Sequence, residues 1–248
     1  GNGFTGVLHG EGTRFVEAGA SGGAAYFDGR YGSSNEGYVE VAHDSRLEPS
    51  SITVALWVKF PGEDGTSSYP LIKWSGYAMK VSNGETPYWR ITGYKDLYAI
   101  SDWRRIPFNQ WALLVGTFDN ATKNASFYIN GEYTSSTVYG DITGVSSILN
   151  DTIKYGETYP LTISTDSRWG ANTMNGSTDQ VRIYNRALTQ AEIEELYSNP
   201  GNLLYVVGKP GCTYSGGEIQ SLTVPFAHNS NQNENNYYYA VFRTWLKG

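Results

Sequence analysis

Along most of the chain, hydrophobic and polar positions alternate with a period of two, the spacing of strands that bury one face. Tyr38-Val39-Glu40-Val41 alternates cleanly, and Ser51–Phe60 (Ser-Ile-Thr-Val-Ala-Leu-Trp-Val-Lys-Phe) reads as a central strand with Trp57 in the core. Asn109–Asp119 and Ala125–Glu132 are two further strands joined by a turn at Asn120–Lys123. They end at Asn130-Gly131, a tight-turn dipeptide whose positive φ angles cost Asn and Gly little. Asn83-Gly84, between Tyr77–Val81 and Tyr88–Ile91, signals a hairpin whose loop is lengthened by Glu85-Thr86-Pro87. The rest of Pro61–Pro107 reads as irregular, and Pro160–Ser164 offers another strand.

The pattern changes only once. In Asp179–Tyr184 the period is still two, with Val181 and Ile183 on one side and Arg182 and Tyr184 on the other. Beyond it, Thr189 followed by Glu192 makes a capping box, and Leu188, Ile193 and Leu196 share one helical face. A single helix after so much strand implies an all-β sandwich with one helix packed on it. Residues 1–23 form a Gly-rich extended segment. Residues 199–248, after the break Asn199-Pro200-Gly201-Asn202, carry three strand-like runs, Leu203–Val207, Glu218–Phe226 and Asn236–Leu246, around an Asn/Gln-rich loop at His228–Asn236. Three strands in so short a tail are marginal alone and must pack on the sandwich or on a neighbouring subunit.

Several of these runs share an order with a known family. "F-D-G" at Phe27-Asp28-Gly29, the "Y-V-x-V" of Tyr38–Val41, Thr53–Lys59, the Trp111–Asp119 strand, "F-Y-I-N-G" at Phe127–Gly131 and the closing "D-Q-V-R-I-Y-N-R-A-L" of Asp179–Leu188 together resemble the laminin-G-like, concanavalin A-like lectin family. Thr178 stands where the family usually has an aliphatic residue, and Ser164 where it has Gly. The resemblance covers about residues 24–198. It implies an all-β, concanavalin A-like jelly-roll β-sandwich with one short C-terminal helix, flanked by extra strands.

Composition narrows the function. With 248 residues the chain can bury a sizeable core. Its 20 Tyr and 7 Trp, against only 17% charged residues, suit a Tyr-rich β protein. A net charge of −6 with no basic cluster argues against nucleic acid. No apolar run reaches the length of a membrane span, and no signal-peptide pattern opens the sequence. Cys212 is the only cysteine, so neither an intrachain disulfide nor a Cys-based zinc site is expected.

Enzyme chemistry finds little support in the pattern. A glycoside hydrolase on this sandwich needs two carboxylates facing across a cleft, yet no strand carries a Glu-x-Asp-x-x-Glu run. Glu63 and Asp64 are adjacent in a loop, and Glu192, Glu194 and Glu195 read as a solvated helix face. His9, His43 and His228 lack a nucleophile elbow and read as loop residues. No catalytic residue is assigned, and the chain is expected not to be an enzyme.

The resemblance also implies a structural calcium between "F-D-G" and the Asp of the closing motif, here Asp28 and Asp179 with the Gly29 carbonyl. The alternative is that Asp28 is a turn residue and Asp179 caps the strand end through backbone bonds. Tyr69, Trp74, Tyr77, Trp89, Tyr94, Tyr98, Trp103 and Trp169 lie in or beside irregular stretches, some as core and the rest as platforms. Trp74, Tyr94, Trp103 and Trp169 are the candidate contacts to a glycan or a protein partner. Asn120, Asn124, Asn150 and Asn175 open sequons that permit glycosylation.

Two functions follow. One is an extracellular structural subunit that self-assembles at the cell surface, as a filament or layer, by strand addition from its terminal extensions. The alternative is a carbohydrate-binding or adhesion module of a surface protein or a secreted polysaccharide-degrading enzyme.

Overall fold

Strands with one apolar face stack that face against another sheet, and the chain does this with two antiparallel sheets. The computed structural model describes residues 4–29, 36–63, 67–92, 105–134, 152–156, 158–166 and 172–201, with the backbone alone of 97–100, 137–138, 222–224 and 239–242. The larger sheet runs, edge to edge, β13 (Thr137–Val138), β9 (Leu97–Ile100), β8 (Thr86–Ile91), β7 (Tyr77–Ser82), β6 (Ser67–Lys73), β14 (Leu161–Ser164), β4 (Tyr38–Val41), β1 (Phe4–His9) and β16 (Leu222–Val224). The second runs β12 (Glu132–Thr134), β11 (Asn124–Ile129), β10 (Ala112–Asp119), β5 (Ile52–Lys59), β15 (Asn175–Tyr184), β3 (Ala24–Asp28) and β2 (Thr13–Val16). β17 (Tyr239–Phe242) also lies in this sheet, paired with β15.

The core between the sheets holds Val54, Leu56 and Val58 of β5, Leu114 and Phe118 of β10, Met79 and Val81 of β7, and Trp89 of β8. Trp89 is the largest of these. Its ring fits because β10 has Gly116 opposite: a Cβ there would stand 2.2 Å from the indole, far inside contact. The buried indole N–H donates to the Thr117 carbonyl at 3.1 Å, so the ring is fixed at both its apolar and its polar end.

Helix α1 (Gln190–Ser198) seals the other side of the second sheet. Ile193 and Leu196 pack there with Ala55, Trp57, Leu113, Val115, Tyr128, Tyr184 and Leu188. The capping box forms as the sequence predicts, Thr189 accepting from the Glu192 N–H and the Glu192 carboxylate accepting from Thr189 N–H. Trp57 is buried, but beneath this helix rather than between the sheets, and it stacks on Tyr197 with ring centroids 5.7 Å apart. Both faces of β5 are covered, which is why seven of its eight residues are buried.

Three further points bear on the sequence reading. Pro61–Pro107 is not mainly irregular, since β6 and β9 flank the expected hairpin of β7 and β8 and join it to the sheet. The terminal segments supply strands to the same molecule: β1 and β2 sit in the larger and second sheets, and β16 and β17 pair with β1 and β15. Within the tail, β16 falls in the predicted Glu218–Phe226 run and β17 in Asn236–Leu246; Leu203–Val207 lies outside the described residues.

β15 is the organising strand. One flank pairs with β5; the other is shared, β3 taking Asn175–Thr178 and β17 taking Val181–Tyr184. Between those halves the register with β5 shifts at Asp179–Arg182, and Gln180 has a left-handed φ of 47°. This bulge absorbs one residue. It lets Thr178 face the core side before it, as the partner of Val58, and Val181 and Ile183 after it.

Candidate functional site

α1 occupies the outer face of the second sheet; on the outer face of the larger sheet no described helix or sheet lies, although Ile72, Ala78 and Thr162 at its centre are buried. Alternation sets what it presents. In β8, Trp89 and Ile91 point into the core and Tyr88 and Arg90 point out; in β7, Tyr77, Met79 and Val81 point in and Lys80 points out. Tyr88 and Lys80 are direct partners in the β7–β8 ladder. In β6 an irregularity between Ser68 and Leu71 displaces Tyr69 from simple alternation and brings its ring to the same row. The Lys80 ammonium then lies 5.4 Å from the Tyr69 ring centre and 5.6 Å from that of Tyr88. One register along the same face, the Arg90 guanidinium sits 5.2 Å over the half-buried ring of Trp74. Such cation–π contacts hold the long side chains against aromatic faces.

All of these side chains are half-buried. Burial pushes the Tyr88 hydroxyl up to about 12, against a downward pull from Arg90. Burial also raises Tyr69; Lys80 and Arg90 pull it down, while Tyr88 and Asp166 add to the rise. Both phenols therefore stay neutral at ordinary pH and can donate as well as accept. Farther along the sheet, His9 of β1 stacks on Tyr38 of β4 at 4.6 Å between ring centres, the rings 11° from parallel. His9 is thus a strand residue, not a loop one. The arrangement offers flat apolar faces interleaved with cations and hydroxyls, the combination that holds sugar rings.

Of the aromatic residues singled out by sequence, Trp74 and Tyr69 join this row, whereas Tyr77 and Trp89 are core. Tyr94, Trp103 and Trp169 lie outside the described residues, and Tyr98 is described only as backbone. Tyr88, Lys80 and Arg90 were missed as site residues. Their signal was present: in Thr86–Ile91 and Tyr77–Ser82 they fall on the phase opposite to the core residues.

The two aspartates implied for calcium are not brought together. Asp28 ends β3 opposite Asn175 in the ladder, and Asp179 lies four residues farther along β15. At ~3.3 Å per strand residue, that is about 13 Å, whereas the ligands of one calcium ion lie within about 2.6 Å of it. Gly29, with φ of 69°, packs against Asn175 at the Asp28 end. Asp179 is only 3% exposed, and its oxygens accept from backbone N–H groups, Ser21 at 2.9 Å and Gln180 at 2.7 Å. Burial pushes its carboxyl up to about 6, with the amides of Ser21, Gln180 and Ala20, and then Arg182, pulling it down. The Gln180 side chain donates back to the Ser21 carbonyl at 3.1 Å. Asp179 thus fastens the loop between β2 and β3 to the bulge of β15. Among the described residues, no three His, Cys, Asp or Glu side chains gather as a metal-binding group.

The remaining candidates are scattered. Asn120 is half-buried and accepts from the Lys123 ammonium at 2.7 Å, Asn124 is exposed at the start of β11, and Asn175 is half-buried at the start of β15. Asn150, Cys212 and His228 lie outside the described residues. His43 neighbours the ion pair of buried Lys73 and half-buried Glu48, whose charged atoms are 2.9 Å apart. No described helix is long and apolar enough to cross a membrane.

A family model described as the concanavalin A-like lectin/glucanases superfamily matches residues 33–194. No curated protein sequence matches the chain. Among solved structures, domain 4 of AbnA, a GH43 extracellular arabinanase from Geobacillus stearothermophilus, in complex with arabinotriose, is similar at 18% identity and a TM-score of 0.58, over 77% of this chain and 87% of that one. The binding domain of botulinum neurotoxin serotype G is similar at 16% identity and a TM-score of 0.58, over 81% of this chain and 47% of that one, so this chain spans about half of it. At such identities the likeness is one of fold. The two-sheet sandwich, the closing strand and capped helix, and a match over well over half its length show that the chain belongs to the concanavalin A-like lectin/glucanases superfamily.

Proposed function

We propose that the chain is a non-catalytic carbohydrate-binding domain working outside the cell, and that the sugar lies across the outer face of the larger sheet on Tyr69 and Tyr88. The observation that carries this is the half-buried row Tyr69–Lys80–Tyr88, with Trp74 and Arg90 beside it, on the sheet face that no described helix or sheet covers. Membership of a superfamily of lectins and glucanases supports it, as does a structural neighbour solved with arabinotriose. The case against catalysis rests on sequence, in which no strand carries the paired carboxylates that glycoside hydrolysis needs.

Strand addition between copies is the weaker reading. It was motivated by free chain ends, and β1, β2, β16 and β17 are paired within the molecule.

Calorimetric titration with a panel of plant and bacterial oligosaccharides tests the proposal. Tyr88→Ala and Tyr69→Ala should each weaken binding about tenfold or more, since stacking on one aromatic ring contributes about 1–2 kcal/mol, with the far-ultraviolet circular dichroism of the folded protein retained. Binding unaffected by both substitutions would refute the assignment of the face.

A further inference from the structure

We infer, building on the sugar-binding reading, that the ligand is a polysaccharide bearing carboxylates, and that Lys80 is the residue that selects it. A neutral sugar stacks best on bare aromatic faces beside neutral donors. Here the position between the two tyrosines is held by an ammonium, 5.4 Å and 5.6 Å from the flanking ring centres. No carboxylate lies within ion-pair distance of Lys80 among the described residues; the acid that bears on Tyr69 is Asp166, which is itself buried. The hydroxyls of a neutral ring can accept from the Lys80 ammonium, but a ligand carboxylate replaces its lost hydration more fully, as an ion pair with charge-assisted hydrogen bonds.

Arg90 lies on the same face, over the Trp74 ring. It is diagonal to Lys80 across the β7–β8 ladder, as the partner of Ala78, which puts the two backbones about 7–8 Å apart. That spacing suits an acidic residue at Lys80 and a neighbouring unit of the same chain toward Arg90 and Trp74. The protein carries a net charge of −6, so a polyanion gains nothing from the field of the whole molecule. Any preference for acid must come from these local cations, which makes it attributable to single residues.

The test is titration of the full chain, in about 150 mM salt so that distant charges are screened, with three probes: an α-1,4-linked galacturonate tetramer, its fully methyl-esterified form, and arabinotetraose. The acid should bind at least tenfold more tightly than its ester. Lys80→Ala should abolish that ratio, weakening the acid at least tenfold more than the ester, and Lys80→Arg should keep it. Equal affinity for acid and ester, or an undiminished ratio in Lys80→Ala, would overturn the carboxylate assignment while leaving sugar binding intact. If none of the three probes binds, the inference and the sugar-binding reading fail together. Unchanged far-ultraviolet circular dichroism of both variants confirms that a lost ratio is not lost fold.

Discussion

Asp179 gives the sharpest test of how the chain is held together. It is a nearly inaccessible carboxylate whose folded-state pKa is about 6, against 3.8 for the free group. An acid with a raised pKa binds its proton more tightly in the folded state than in the unfolded one, so stability must fall as pH rises through this interval. Below 3.8 the group is protonated in both states and contributes no charge-burial cost. Above 6 it is ionised in both, and the cost is complete. A displacement of about two units corresponds to about 3 kcal/mol. Asp179→Asn cannot ionise, and it keeps one oxygen for the Ser21 or Gln180 amide, although the other amide then faces an NH2 group. The variant should therefore lose a roughly constant increment, about 1–2 kcal/mol for the orphaned donor, at every pH. Urea unfolding of both proteins from pH 3.5 to 7.5 separates the two effects. The difference between the curves should move by about 3 kcal/mol in the native protein's disfavour across the whole range, about 2 kcal/mol of it between pH 4 and 6. Parallel curves would show that the backbone donors hold the carboxylate ionised and that burial does not control it.

Other outcomes follow from particular contacts. Gly116→Ala drives a methyl into the fixed Trp89 ring and should cost about 3 kcal/mol by thermal unfolding; an unchanged melting temperature would mean the ring can move aside. Glu192 has its carboxyl held down at about 2, first by Arg186 and then by the Thr189 amide, against the opposing effect of burial, so its contribution exists above 4.5 and disappears as pH falls toward 2, the opposite sign to Asp179. Because its side chain keeps 30% exposure, Glu192→Ala should cost only about 1 kcal/mol at pH 7 and nothing at pH 2. If the chain binds calcium at all, Asp179→Asn should leave the calcium-induced shift in melting temperature as it is in the native protein; a shift abolished by that substitution would place the ion at Asp179.

The sandwich was legible because alternation is enforced by burial, and a strand with one buried face cannot hide its period. Val39 and Val41, or Val181 and Ile183, announce their side of the sheet directly. β6 was harder to see: Ser67-Ser68-Tyr69-Pro70 breaks the period, and its pairing with β7 shifts register there. Trp57 shows a different limit. An aromatic residue on a strand covered on both faces is buried either way, and only the docking of α1 decides which layer it joins. The candidate site was partly hidden for a related reason. Tyr88 and Lys80 were readable as outward-facing, but their closeness to Tyr69 depends on the irregularity in β6, which no local pattern encodes. The two aspartates named for calcium share a ladder but stand four residues apart along it, because matching motifs do not fix the offset between strands.

The central place of β15 also sets the order in which the molecule can be made. Two of its partners, β5 and β3, come from early in the chain, so the longest strand of the second sheet arrives long after the strands it bridges, and β17 can pair with it only later still. During synthesis, the neighbouring strands β6, β7 and β8 can close on each other at once, being joined by short turns. β5 has only β10 and must keep its other edge unpaired until more than a hundred further residues have emerged. A sheet whose central strand comes so late carries a high contact order and folds slowly, and the waiting edge of β5, rich in Val, Leu and Trp, is where a nascent chain would aggregate. Truncation before residue 175 would leave that edge open for good, so such fragments should be insoluble even though most of the larger sheet is already encoded in them.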